Sequence, residues 1–342
     1  MKEAMLYSRE ENQRVHCHLC AQRCRIADGK RGFCGVRENR KGTLYSLVYG
    51  KLIAQAVDPI EKKPLFHFYP GTKALSIATV GCNFRCTFCQ NADISQMVID
   101  SDRIGGQDVP PEVVVQAAQR YKCRSIAYTY TEPTISFEYN YDCSKLAHEA
   151  GIANVYVTNG YMTPEMLALV GKPGEPPLID AANVDLKAFN DEFYRRECRA
   201  TLQPVLDNLV LMKQLGIWLE VTTLIIPGLN DSDEELRQIA RFLVTKLGAE
   251  TPWHVSRFHP TYKLVDRPST PVETLRRARE IGLEEGLQFV YEGNVPGGEG
   301  ENTVCPACGE TAIRRVGFSV RERNVQDERC KCGHNIPGVG MD

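Results

Sequence analysis

ALSIATVGCNFRCTFCQN (74–91) decides the reading of this chain. It opens as an apolar run with no polar alternation, which suits a strand buried on both faces of a parallel sheet. At Gly81 the run breaks into a loop in which Cys82, Cys86 and Cys89 are spaced C-x3-C-x2-C. Six further runs of the same kind follow at regular spacing: SIAYTYTEP (125–133), NVYVTNG (154–160), ANVDLKAF (182–189), WLEVTTLIIP (218–227), WHVSRFHP (253–260) and QFVYEGNVP (288–296). Helix signals lie between them. Ser232-Asp233-Glu234-Glu235 and Thr270-Pro271-Val272-Glu273 read as capping boxes, and Thr163-Pro164 opens a helix in the same way. Strand–helix alternation of this kind predicts an α/β fold, a partial or full parallel (β/α) barrel with right-handed crossovers, with a doubly wound open sheet as the alternative.

Each run ends in chemistry. Cys82 follows the first, Thr131 and Glu132 the second, and Thr158 and Asn159 the third. Asp185 and Lys187 lie late in the fourth, and His259 ends the sixth. In a parallel barrel these carboxyl ends share one face, where loops build the active site. Three thiolates within eight residues can wrap one 4Fe-4S cluster. With no fourth cysteine in the loop, one iron stays open for a small molecule.

The chain has 342 residues and 14 cysteines. Four lie early, at Cys17, Cys20, Cys24 and Cys34; four lie late, at Cys305, Cys308, Cys330 and Cys332. Each set is expected to form a closed metal site. For the N-terminal set, zinc and a second iron–sulfur cluster are both open. The C-terminal set, CPACG and CKCGH, resembles a zinc ribbon or rubredoxin knuckle. Cys123, Cys143 and Cys198 are isolated and read as small buried apolar side chains. The Arg-rich stretch holding Arg314, Arg315, Arg321 and Arg323 reads as a solvated hairpin. The expected organisation is a cysteine segment over 1–73, a barrel over 74–296 and a cysteine tail over 297–342.

Lys and Arg total 41 against 43 Asp and Glu, for a net charge of −2, which argues against a dedicated nucleic-acid binder. Residues 1–51 are locally basic, which fits a solvated face or a docking surface for an acidic partner. No apolar stretch is long enough to span a membrane and the first residues lack an apolar signal core, so the expected location is the cytoplasm. Abundant cysteine in that compartment points to metal ligands.

The C-x3-C-x2-C loop, with Phe88 before its last cysteine, resembles that of the radical S-adenosylmethionine (SAM) superfamily. The resemblance implies that SAM binds the open iron, is cleaved by the reduced cluster, and yields a 5′-deoxyadenosyl radical that abstracts hydrogen from a substrate. It also implies a reduced electron donor of flavodoxin or ferredoxin type. Thr131-Glu132-Pro133 is similar to the segment that contacts the SAM amino group. Thr158-Asn159-Gly160 and Asp185-Leu186-Lys187 look like motifs of pyruvate formate-lyase activating enzymes, and His259 falls where those enzymes have a histidine near SAM. Phe88, Thr131, Glu132, Thr158, Asn159, Asp185, Lys187 and His259 are therefore the expected cofactor-binding residues. Two positions depart. Tyr130 and Thr131 replace paired glycines, and Val157 replaces an Asp, which argues against a monovalent-cation site of that family's kind. Across nearly the full chain, GFCGVREN, GTLYSLVYG, VTNGY, LIIPGLND and GNVPG resemble the AmmeMemoRadiSam-system enzymes; Gly340 departs where members often have Trp. That resemblance implies Memo-type or AMMECR-type proteins as partners. A glycyl-radical activase acting on a partner protein is the competing function.

Overall fold

The computed structural model describes residues 1–295 and 297–342. One eight-stranded sheet dominates it. Its strands, in chain order, are β1 (Ala54–Pro59), β2 (Lys73–Ala78), β3 (Ser125–Tyr128), β4 (Ala153–Thr158), β5 (Ala181–Asp185), β6 (Trp218–Ile225), β7 (Trp253–Arg257) and β8 (Val290–Gly293). Neighbours in sequence are neighbours in space throughout, and the order never reverses. That excludes the doubly wound alternative, whose sheet reverses at a switch point. β2 to β8 run parallel, and β1 pairs antiparallel with β2 in register from Ala54↔Ala78 to Pro59↔Lys73. β1 and β8 are not paired with each other, so the sheet is a partial barrel.

All seven runs read from the sequence form strands. Pro296, the last residue of the seventh run, lies outside the described residues. The sheet begins earlier than residue 74, because β1 half-alternates exposed and covered residues and lacks the continuous apolar signature. Parallel strands β3 and β5 are buried at almost every position, since helices cover their outer face. These helices include α1 (Pro111–Arg120), α2 (Phe137–Glu149), α3 (Pro164–Val170), α4 (Gln203–Gln214), α5 (Asp233–Phe242) and α6 (Val272–Glu284).

Two of the three helix starts are capped as the sequence implies. Ser232 accepts from the Glu235 N–H and Thr163 from the Met166 N–H. Thr270 does not cap α6, whose N-cap is Pro271. The Thr270 hydroxyl instead donates to the Ile225 carbonyl (2.6 Å) and accepts from Phe258 N–H (3.0 Å), tying β6 to the segment after β7.

Both ends of the chain fold onto this frame. The first 50 residues form small antiparallel sheets, fastened by Arg37, whose buried guanidinium makes a two-pronged pair with Glu138 of α2 at 2.7 and 2.9 Å. The tail forms a three-stranded sheet from Thr303–Val304, Thr311–Val316 and Ser319–Arg323. It lies across the gap between the unpaired sheet edges. Phe66 from the β1 side and Phe289 and Tyr291 from the β8 side share a buried cluster with the tail's Ala312, Ile313 and Ile336. Arg315 is not solvated as the sequence suggested. It is buried over the Phe66 ring, donates to the Phe66 carbonyl and to Thr303 Oγ1 (both 2.8 Å), and lies 3.7 Å from the buried Glu61 carboxylate. The tail's apolar strands alone were too short to show which face is covered.

Candidate active site

A cavity of about 520 Å³ occupies the interior of the partial barrel and opens at the carboxyl ends of the strands. Cys82, Cys86, Cys89, Phe88, Thr131, Glu132, Thr158, Asn159, Asp185 and Lys187 all line it. Ten of the eleven residues named for the central site from the sequence are thus brought together. The exception is His259, which is exposed and has its Nδ1 3.0 Å from Ser269 Oγ. The histidine on the cavity wall is His254, on β7.

The cysteine loop is aimed by close packing. Gly81 has φ +102°, and a Cβ there would stand 2.8 Å from Val36 Cγ1 and 3.2 Å from the Cys34 carbonyl oxygen. Only glycine lets the loop pass so near the N-terminal segment. Arg85 N–H donates to the Cys198 carbonyl (2.8 Å) and Thr87 N–H to the Glu197 carbonyl (2.9 Å). The loop is therefore laced to Tyr194–Cys198, a turn of wide helix. Cys198 was dismissed from the sequence as an isolated apolar residue. Burial is right, but the side chain lies beside Cys86 and, with Lys187, holds the Cys86 thiol below its ordinary pKa. No local signal reveals this, since 112 residues separate the two.

Glu132 is the anchor of the opposite wall. It is buried and accepts four hydrogen bonds: from Thr134 N–H (2.9 Å), Thr134 Oγ1 (2.5 Å), Thr158 Oγ1 (2.7 Å) and Asn159 N–H (2.8 Å). These bonds join the ends of β3 and β4. Burial still pushes its carboxyl pKa up, so a cation beside it would be stabilising. Asn159 donates to Asn83 Oδ1 at 2.7 Å, which carries the same network into the cysteine loop. Thr131 Oγ1 donates to the Thr79 carbonyl (2.7 Å). Lys187 pairs with Asp185 at 2.9 Å and stands 5.8 Å from the Phe88 ring centre. The partners raise its pKa well above the ordinary value despite burial, so it stays charged.

Tyr130 has φ +63° and so keeps the left-handed backbone that glycine would adopt. Its hydroxyl bonds Asp58, which also pairs with Lys63 (2.7 Å) and Lys62 (2.9 Å). Lys63 lies 4.4 Å from the Tyr130 ring centre. Desolvation lowers its pKa to about 8. Lys62, Lys63 and Tyr130 of this cluster line the same cavity, as does His254, which pairs with the buried Glu220 at 2.7 Å. Neither was legible in the sequence, because Asp58 and Lys63 precede the first apolar run and Glu220 sits inside one.

The residues present fit a cluster with one open iron. Three thiols share one cavity with a bound-cation acceptor in Glu132. Among the described residues, only the C-terminal group brings three or more ligand atoms within 4.8 Å of one another, so Cys82, Cys86 and Cys89 stand wider than a single ion requires.

An open parallel barrel with a three-cysteine loop at its active face defines a radical SAM protein. The Radical SAM superfamily model matches residues 76–243, and the chain belongs to that superfamily of enzymes. It is 51% identical to an uncharacterized protein of Methanocaldococcus jannaschii over 98% of this chain and 99% of that one. It is 24% identical to a pyruvate formate-lyase-activating enzyme of Clostridium pasteurianum over 62% of this chain and 89% of that one. A radical SAM methyltransferase from Sphaerobacter thermophilus shares the fold with a TM-score of 0.51 at 18% identity, covering 68% of each chain. Among the described residues no helix is long and apolar enough to cross a membrane.

Proposed function

We propose that this enzyme reductively cleaves SAM and uses the resulting 5′-deoxyadenosyl radical to take a hydrogen atom from a substrate held in the same cavity. The observation that carries this reading is the convergence of Cys82, Cys86 and Cys89 with Glu132, Asn159, Asp185 and Lys187 on one cavity. Cys82, Cys86 and Cys89 would hold a 4Fe-4S cluster, which when bound would supply the electron for cleaving SAM into methionine and the radical.

The chain's own groups do the positioning. Glu132 receives the SAM ammonium on a carboxylate already fixed by four donors, so little reorganisation is needed on binding. Lys187, held charged by Asp185, would pair with the SAM carboxylate. Phe88 is buried, packs 5.8 Å from Phe193 and lines the cavity beside the thiols. Lys63, His254, Ser256 and Asn294 offer donors to a polar substrate on the far wall.

Anaerobic incubation with SAM and dithionite should give 5′-deoxyadenosine slowly without substrate. None from protein whose central cluster is loaded would overturn the reading. A second reading is a glycyl-radical activase acting on a partner protein. It is favoured by two relatives at 24% identity, one named a putative glycyl-radical enzyme activating enzyme and the other the clostridial activase. The motif resemblance keeps Memo-type and AMMECR-type proteins as candidate partners. The electron donor is a reduced flavodoxin- or ferredoxin-like protein, for which the basic first 51 residues offer a face. Adding each candidate protein and measuring the rise in 5′-deoxyadenosine separates these partners.

A further inference from the structure

The two terminal four-cysteine groups have different sizes, and the size identifies what each can hold. In the tail, Cys305 and Cys332 sulfurs lie 3.7 Å apart, as do those of Cys308 and Cys330, and all four fall within 4.8 Å of one another. A single ion bound at about 2.3 Å by four tetrahedral thiolates places them about 3.8 Å apart. The tail therefore matches one ion.

The N-terminal group does not. Cys17, Cys20, Cys24 and Cys34 line one common cavity. No three of them lie within 4.8 Å of one another, which is also true of Cys82, Cys86 and Cys89. A 4Fe-4S cube takes each thiolate on a separate iron, so its ligands form a wider tetrahedron than those of a single ion. The surroundings repeat those of the central loop. Phe33 N–H donates to Cys24 Sγ at 3.3 Å, as Phe84 N–H does to Cys82 Sγ at 3.3 Å. Leu19, Ile26 and Ile135 make the walls apolar. The buried Arg37 lines the same cavity with an Nε that has no partner. Its charge suits an anionic tetrathiolate.

From this we infer that Cys17, Cys20, Cys24 and Cys34 hold a second 4Fe-4S cluster, closed by four protein ligands. It sits against the central loop. Gln22 Nε2 donates to the Asn83 carbonyl (2.9 Å), Arg85 donates to the Phe33 carbonyl, and Cys34 and Val36 pack under Gly81. The inference stands on sulfur spacing and does not require SAM cleavage.

The test uses the full chain purified without oxygen, with iron, zinc and acid-labile sulfide counted per chain. The triple variant C82A/C86A/C89A should keep about four iron and about four sulfide, half the wild-type content, because the second cluster remains. Adding C20A/C24A should remove the rest of the sulfide. Absence of labile sulfide in the triple variant overturns the inference, as does its retention after C20A/C24A. Iron and sulfide unchanged from wild type in the triple variant would sink the central assignment and leave this one standing. Should the five-fold variant not fold, reduced wild-type protein gives an independent reading by electron paramagnetic resonance. Two cluster signals, only one shifted by added SAM, are expected. One signal only, shifted by SAM, would refute the second cluster.

Discussion

The two ends of this chain solve the same problem by different means. Each is too small to bury a core, and each gathers four cysteines. The N-terminal end packs its thiols inside. Cys17, Cys20 and Cys34 are buried, and the segment is pinned by the Arg37–Glu138 pair, with neither side chain more than 2% exposed. The tail keeps Cys308 and Cys332 exposed and borrows barrel residues for its core, closing the gap between β1 and β8. One end abuts the cysteine loop at the reactive face. The other seals the side of the barrel. A metal at the first end would lie close to the chemistry, and one at the second would act as a clasp.

The sharpest way to break that contrast is at Arg37. Arg37→Met leaves Glu138 buried and unpaired, which should cost about 3–5 kcal/mol by denaturant unfolding. The double variant Arg37→Met/Glu138→Leu should recover most of that loss. An unchanged midpoint in the single variant would show that the N-terminal segment is held by its metal alone.

At the seam the effect should be pH-dependent. His67 is buried, with Nδ1 2.6 Å from the Pro337 carbonyl and Nε2 2.6 Å from the Tyr291 hydroxyl. Burial lowers its pKa to about 4, below the ordinary 6.5. The unfolded chain therefore binds the extra proton between those values. Stability from this group is complete above about 6.5 and falls as pH drops toward about 4, by at most about 1.4 kcal/mol per unit. Unfolding midpoints across that window should slope accordingly, and His67→Gln should flatten the slope. An equal slope in both proteins would remove His67 from the account.

Within the active site, Glu132→Gln keeps the shape but loses the charge. It should weaken SAM binding by about 1.5–3 kcal/mol, read by equilibrium titration. Full affinity would place the SAM ammonium elsewhere. The smallest effect is expected at exposed Cys308. Cys308→Ser should release the tail's ion and make the tail protease-sensitive, while slow SAM cleavage continues at the wild-type rate. Loss of cleavage with both clusters loaded would make the tail part of the chemistry.

Periodicity carried the seven parallel strands, and the strand-end motifs with the family resemblance they carry named ten residues that the fold brings to one cavity. These strands are buried on both faces, so their apolar runs are continuous, and functional groups must follow at the same end of each. β1 escaped notice because an antiparallel edge strand needs no such run. His259 was misplaced because sequence distance past a strand does not fix which way a loop turns. His254, five residues earlier and within β7, faces the cavity instead.

Sequence by itself determined the order of elements, the three-cysteine loop and the existence of two further cysteine groups, because each depends on local spacing. Only the tertiary structure decided how wide each group opens, that Arg315 and Glu61 meet inside the seam, and that Cys198 reaches Cys86. Those outcomes join residues far apart in the chain. Their distances are set by how strands curl and helices pack, and no local pattern records that.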